Sequence, residues 1–242
     1  MKEVNFEEIS GTSTDSSIII AAAGKGTRLN SNVPKILYPI AGKAILEWIY
    51  EYCSDLCGEI IIVLSPQGKK DVEPFINKKG FKNVKVAVQN TPIGMADAIK
   101  IGFKECSNNN IFVVWGDQPC FTKKTLEFMN IRLTSIKDCQ MIFPALKNHN
   151  PYVHYETNDK GLLIKVLEKR ENDNMPRIGL SDSGLFLLKR DAIENILCRI
   201  EYASLGNITN EKSFIRLLPI LENDIETIVY FFTCNKSECL SI

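Results

Sequence analysis

The residues with the greatest chemical reach lie near the N-terminus: Gly24, Gly26, Arg28 and Lys35. They follow an apolar run that ends in Ala21, Ala22 and Ala23. Small side chains let a phosphate chain approach the backbone, and glycines reach the φ values that aim several N–H groups inward. Arg28 and Lys35 bring two cations to the same rim. A strand, a glycine turn and two cations are what a triphosphate needs. A bare Gly-x-Gly would be no more than a strand-to-helix turn. The string is not a Walker A loop, because no Gly-Lys-Ser/Thr closes it, and Leu29 stands where the dinucleotide fingerprint has its third glycine.

Two further groups could share that crevice. Asp117, in Gly116-Asp117-Gln118-Pro119, follows an apolar run. A carboxylate there can hold Mg²⁺, which takes oxygen ligands and is usually shared between one or two carboxylates and substrate phosphates. It could instead cap a turn before Pro119. Gln89 ends another apolar run, and Gly94-Met95-Ala96-Asp97-Ala98 opens the next helical pattern. An amide both donates and accepts, so Gln89 can read a pyrimidine edge, with the Gly94 backbone as a second contact. The alternative is a satisfied loop amide.

Taken together, Ala22-Ala23-Gly24-Lys25-Gly26-Thr27-Arg28-Leu29, Pro34-Lys35-Ile36-Leu37 and Ala41-Gly42-Lys43-Ala44-Ile45-Leu46 resemble the nucleotidyltransferases that make sugar nucleotides. The N-acetylglucosamine-1-phosphate uridylyltransferase domain and the MobA-like group are the members they resemble most. The resemblance runs from residue 18 to 242 and is densest from 20 to 120. It implies a Rossmann-like nucleotidyltransferase fold. Ala22, Ala23, Gly24, Gly26, Gln89, Gly94 and Asp117 would bind nucleotide, Arg28 the leaving pyrophosphate, and Lys35 the α-phosphate and incoming acceptor. Asp117 would be the Mg²⁺ ligand, and its Gly-Asp-Gln-Pro setting is similar to the MobA-like branch. Gln89 and Gly94 match the first two landmarks of the uracil-binding motif, while Met95 and Ala96 depart from it.

The acceptor side resembles the family less closely. Glu168, in Leu167-Glu168-Lys169-Arg170, corresponds to a glutamate that binds sugar hydroxyls. Asp182 stands where an asparagine is usual, and Val153, before His154, stands where a glycine is usual. Glu168, Asp182, His154 and Arg170 are therefore the candidate acceptor residues, and Arg170 with Arg177 suits an acidic acceptor. The expected reaction transfers NMP from CTP or UTP to a phosphorylated small molecule, in capsule or surface-polysaccharide synthesis. The combination is similar to CTP:phosphoglutamine cytidylyltransferases. A sugar-1-phosphate uridylyltransferase and a non-catalytic nucleotide sensor remain as alternatives. The resemblance also puts Glu238–Ile242 one residue short of a second metal ligand, as if the chain were cut there or lacked it.

Composition narrows the class. With 29 basic and 29 acidic residues among 242, net charge is zero, which gives no electrostatic case for nucleic acid or an anionic membrane. No apolar run approaches the roughly 20 residues that span a bilayer. The polar N-terminal stretch reads as neither signal peptide nor targeting arm, so a cytoplasmic setting is expected. Eight cysteines without a Cys-x-x-Cys pair, and only two histidines, read as reduced buried thiols.

These residues need a scaffold that aims several strand ends at one place. The pattern predicts a single α/β domain with a doubly wound, mostly parallel sheet and a β-rich acceptor half. Residues 1–16 form a loose leader, 17–138 the nucleotide half and 139–242 the acceptor half. Strands are predicted at 17–23, 59–64, 84–88, 110–115, 139–146, 152–157, 162–168, 184–188 and 226–233. Helices are predicted at 42–56, 71–79, 92–106, 122–136, 190–201 and 211–221, with 172–176 as a mobile loop. Alternating strands and helices put ligands at the strands' C-terminal ends.

Overall fold

In a computed structural model, the chain is described at residues 1–6, 15–24, 33–91, 93–202, 206–223 and 228–233. Four strands build the nucleotide half: β2 (Ser16–Ala21), β5 (Glu59–Leu64), β6 (Val84–Val88) and β7 (Asn110–Trp115). They lie side by side and parallel in the order β7-β2-β5-β6. Ile18, Ile19 and Ile20 of β2 are wholly buried, as a parallel strand covered on both faces demands. Beyond β7 the sheet continues through β12 (Leu185–Lys189), β8 (Cys139–His149), β13 (Ile228–Thr233) and β1 (Lys2–Glu3), with β11 (Ile178–Asp182) paired to β8. β12 runs antiparallel to both β7 and β8, so the sheet is mixed where its two halves join. β9 (Val153–Thr157) and β10 (Leu163–Glu168) form a separate antiparallel pair, as do β3 (Pro39–Ile40) and β4 (Lys43–Ala44).

Helices cover both faces. α1 (Ile45–Cys53), α2 (Pro66–Lys79) and α4 (Lys123–Ser135) pack on the side of Ile18 and Ile20. α3 (Met95–Phe103), α5 (Arg190–Leu197) and α6 (Ile220–Asn223) pack on the side of Ile19, Ile61 and Val113. α1 buries Ile45, Leu46, Ile49 and Cys53, the spacing of one helix face. α4 begins as expected, with Thr122 Oγ1 accepting from the Thr125 N–H at 3.2 Å. No helix among the described residues is long and apolar enough to cross a membrane.

Several expectations need correction. α2 starts at Pro66 rather than residue 71, because Ser65 accepts from the Gly68 N–H at 3.0 Å and Pro66 suits the first helical turn. The helix predicted over 211–221 is instead a one-turn 3-10 helix at Ile215–Leu217, followed by α6. Pro219 has no N–H for a continuous helix. β11 was not predicted; Gly179 in its middle weakens the strand pattern, yet a Cβ there would meet His154 Nδ1 at 2.7 Å. Residues 1–6, expected to be loose, are docked: Lys2–Glu3 pairs with β13 and the Val4 N–H bonds Phe231 O at 2.8 Å. Phe6 packs on Phe128 and Phe232, at 4.8 and 5.6 Å between ring centroids. In the predicted mobile stretch, Asp173 Oδ2 accepts from the Glu168 N–H at 2.7 Å and also from Arg216, which pins it. Cys53, Cys57, Cys106 and Cys139 are buried thiols as expected, but Cys120 is half-buried and Cys198 exposed. Cys234 and Cys239 and residues 234–242, with the second-ligand alignment, lie outside the described residues.

Candidate nucleotide-binding site

The site grows from the C-terminal ends of β2 and β7. Beyond β2 the chain runs through Ala22 and Ala23 to Gly24; beyond β7 it turns through Gly116 into Asp117. The two turns touch. The Gly116 N–H bonds Ala21 O at 2.9 Å, and a Cβ on Gly116 would come within 2.6 Å of Ala22 Cβ. Gly116 is therefore required by close packing. A Cβ on Gly24, by contrast, would meet nothing within 4 Å among the described residues.

Lys35 reaches the same place from a one-turn 3-10 helix, Lys35–Leu37, anchored by buried Ile36. Its Nζ donates to Asp117 Oδ2 at 2.7 Å, with the side chains 27% and 30% exposed. Predicted cation and predicted metal carboxylate thus form an ion pair at the strand ends. Gly26 and Arg28 lie outside the described residues. Among the described residues no group of three or more His, Cys, Asp or Glu side chains could hold a metal. Asp117 is a single carboxylate, a donor set that fits Mg²⁺ shared with substrate phosphates.

A cavity of about 90 Å³ opens beside the Gly24 turn, lined in part by Ala23, Gly24, Gln89, Gly94, Arg170 and Glu211. Gln89 is 4% exposed, and its Nε2 donates to Gly94 O at 3.1 Å and Asp97 Oδ2 at 2.8 Å. Gly94 holds φ +120°, and a Cβ there would lie 2.6 Å from both Lys212 N and Lys212 O. The Lys212 N–H bonds Ile93 O at 3.0 Å, and the Ala96 N–H bonds Lys212 O at 3.1 Å. The start of α3 is thereby clamped to a segment from the acceptor half.

Of the four predicted acceptor residues, only Arg170 lines this cavity. Glu168 is buried, its oxygens taken by Arg170 Nε at 3.2 Å and Arg216 Nε at 2.8 Å. Asp182 Oδ1 accepts from the Gly184 N–H at 2.7 Å and Oδ2 from Tyr155 Oη at 2.8 Å. Burial raises the Asp182 carboxyl above its usual range, against those hydrogen bonds. His154 Nδ1 accepts from the Leu180 N–H at 3.1 Å, and burial pushes the imidazole below its usual value, toward the neutral form. Arg170 is itself engaged, 3.1 Å from Glu211 and 3.6 Å from Glu171, so it is less open to an acidic acceptor than its sequence setting suggests.

Three contributors escaped the sequence reading. Glu171, 1% exposed, accepts from Thr209 Oγ1 at 2.6 Å and the Ile208 N–H at 2.9 Å. Burial alone would raise its carboxyl, but these bonds and Arg170 together hold it below the usual range. It ties the 206–212 segment to the chain that carries Arg170. Arg216 and Asp97 are the others. Glu171 sits among charged neighbours in sequence, where nothing separates a buried partner from a solvated charge, whereas Asp97 and Arg216 are lone charges in apolar stretches whose distant partners local pattern does not name.

Comparison with known proteins gives the family and the fold. The model of the MobA-like NTP transferase domain matches residues 18–178. The Bifunctional protein GlmU of Bacillus licheniformis is 25% identical over 228 residues, covering 93% of this chain and 48% of that protein. That of Francisella tularensis subsp. holarctica is 22% identical over 227 residues, again covering 93% and 48%. The chain thus spans about half the length of the curated relatives it matches. Among solved structures, a UDP-glucose pyrophosphorylase complexed with UDP-glucose aligns with TM-score 0.72 at 20% identity, covering 91% of each chain. The inositol-1-phosphate CTP transferase from T. maritima aligns with TM-score 0.64 at 16% identity, covering 91% of this chain and 85% of that one. These likenesses establish a shared fold, and with two thirds of its length matched by the family model the chain belongs to the MobA-like NTP transferase domain family of nucleotidyltransferases.

Proposed function

We propose that the protein transfers NMP from a pyrimidine NTP, CTP or UTP, to a phosphorylated small molecule and releases pyrophosphate. The carrying observation is the Lys35–Asp117 pair at 2.7 Å, set at the strand ends where β2 and β7 deliver Gly24 and Gly116. The acceptor's phosphate oxygen attacks the α-phosphorus in line, and the bond to the β-phosphate's bridging oxygen breaks. A phosphate monoester has a second pKa of about 6, so the attacking oxygen is already largely ionised and no general base is needed. The remaining work is positioning and charge stabilisation. Lys35 turns its ammonium from Asp117 to the α-phosphate and the incoming acceptor. Ala22, Ala23 and Gly24 let the phosphates approach the backbone, and Gln89 and Gly94 read the base. Gly26 and Arg28 complete the phosphate rim in this reading. Asp117 would hold Mg²⁺, which when bound draws negative charge off the phosphates.

The engaged oxygens of Glu168 and Asp182 support an acceptor other than a hexosamine phosphate, since sugar hydroxyls would have to share these carboxylates with Arg170, Arg216, Tyr155 and the Gly184 N–H. A cytoplasmic role in making capsule or surface-polysaccharide precursors belongs to the same proposal. The second reading is a sugar-1-phosphate uridylyltransferase, supported by the likeness to UDP-glucose pyrophosphorylase. Pyrophosphate release, assayed with each of the four NTPs and a panel of sugar phosphates and phosphorylated amides and alcohols, separates the two. Nucleotide binding with no release under any combination would point instead to a sensor.

A further inference from the structure

Gln89 is the predicted base reader, but its amide cannot present either end at will. The residue follows β6, with its backbone N–H on Leu64 O at 2.8 Å and 4% exposure overall. The amide nitrogen carries two hydrogens, and both are committed. One goes to Gly94 O at 3.1 Å, the other to Asp97 Oδ2 at 2.8 Å. A backbone carbonyl and an ionised carboxylate are acceptors only. A half-turn of the amide would set its oxygen against two other acceptors and leave both hydrogens unpaired. The orientation is fixed by chemistry, and Oε1 accepts no hydrogen bond among the described residues. What Gln89 offers the cavity is an acceptor.

We propose, building on the nucleotide-binding reading above, that Asp97 is a specificity-determining positioning residue that locks the Gln89 amide with its oxygen toward the nucleobase. The site then demands an N–H group from the base at the contacted position and rejects a base that presents a carbonyl or ring lone pair there. Cytosine and uracil are complementary in this respect: the amino group of one stands where the other has O4, and the N3 lone pair of one stands where the other has N–H. A locked acceptor therefore separates the two, whichever of these positions it contacts. An unlocked amide serves both, because turning it over exchanges acceptor for donor. Asp97 touches no substrate in this account. It acts from the first turn of α3 through Gln89 alone.

The test is the ratio of dissociation constants for CTP and UTP, measured by calorimetry on the intact chain without acceptor. Asp97→Asn keeps the shape but can either accept from or donate to Gln89, so it removes the carboxylate from the lock and leaves Gly94 O as the one remaining obligate acceptor. The expected result is that the wild-type preference for one pyrimidine narrows at least fivefold, chiefly through tighter binding of the disfavoured nucleotide. Asp97→Ala should narrow it in the same direction. A merely structural role, such as supporting the N-terminus of α3, would weaken both nucleotides equally and leave the ratio unmoved; that result overturns the proposal. Gln89→Ala separates the two levels of the argument. If it alters the ratio while Asp97→Asn does not, Gln89 reads the base and Asp97 does not lock it. If neither alters the ratio, Gln89 is not the base reader and the proposal falls with that assignment.

Discussion

At the scale of residues, the ion pair between Lys35 and Asp117 joins two positions that lie 82 residues apart in sequence. Each was legible beforehand, because a cation after a glycine turn and a carboxylate after an apolar strand are local patterns. Their meeting is a property of the sheet, in which β2 and β7 are direct neighbours. If Lys35 stabilises charge that develops in the transition state, Lys35→Met lowers kcat by about 10²–10³, with little change in nucleotide affinity. Steady-state kinetics with a separate binding titration check this, and an unchanged kcat removes Lys35 from the mechanism. The acceptor residues were legible by type but not by state. Sequence names Glu168 and Asp182 as polar candidates; only the fold reveals that Arg170 and Arg216 bond the oxygens of the first, and Tyr155 and the Gly184 N–H those of the second.

At the scale of elements, the two glycines at the cavity differ in what a methyl group would do. Gly94 adopts φ +120° and faces Lys212 backbone atoms at 2.6 Å. Gly94→Ala therefore combines positive-φ strain with overpacking, each costing about 1–3 kcal/mol. Thermal unfolding should show Tm lower by roughly 5–15 °C. Among the described residues a methyl at Gly24 meets no neighbour within 4 Å, so Gly24→Ala should leave Tm unchanged while weakening NTP binding through the proposed phosphate contact. A drop in Tm for Gly24→Ala, or unaltered NTP affinity, would contradict the cradle. Strands β6 and β7 fall at their predicted residues because their apolar runs are short and sharply bounded. β11, α6 and the 206–212 segment were illegible for the opposite reason: long-range bonds hold them, such as those from Thr209 to Glu171, and local pattern does not.

At the scale of the whole molecule, the parallel half of the sheet was readable from alternation alone, whereas the antiparallel insertion of β12 between β7 and β8 was not. Nothing in the Leu185–Lys189 pattern states its direction or its neighbours. The end of the sheet opposite the site carries its own charge network, which gives the fold a pH signature. Burial tends to raise the Glu59 carboxyl, but hydrogen bonds from Ser107, Ser17 and Lys85 outweigh it and lower the value to about 2. A depressed carboxyl stabilises the fold fully above its unfolded value, near 4.5, and that contribution is lost as pH falls toward 2. Glu171 acts in the same direction, while the raised carboxyl of Asp182 opposes them. Urea midpoints should thus fall less steeply below pH 4.5 in Glu59→Gln than in the wild type, and equal slopes would show that Glu59 is not a source of acid sensitivity. The central claim concerns phosphorus, and isotope follows phosphorus directly. With CTP or UTP labelled at the α-phosphate, Mg²⁺ and a phosphorylated acceptor, the account predicts that the label enters the nucleotide–acceptor product while unlabelled pyrophosphate is released in equal amount. Label recovered as free NMP, or retained in NTP with every acceptor while the nucleotide stays bound, would contradict it.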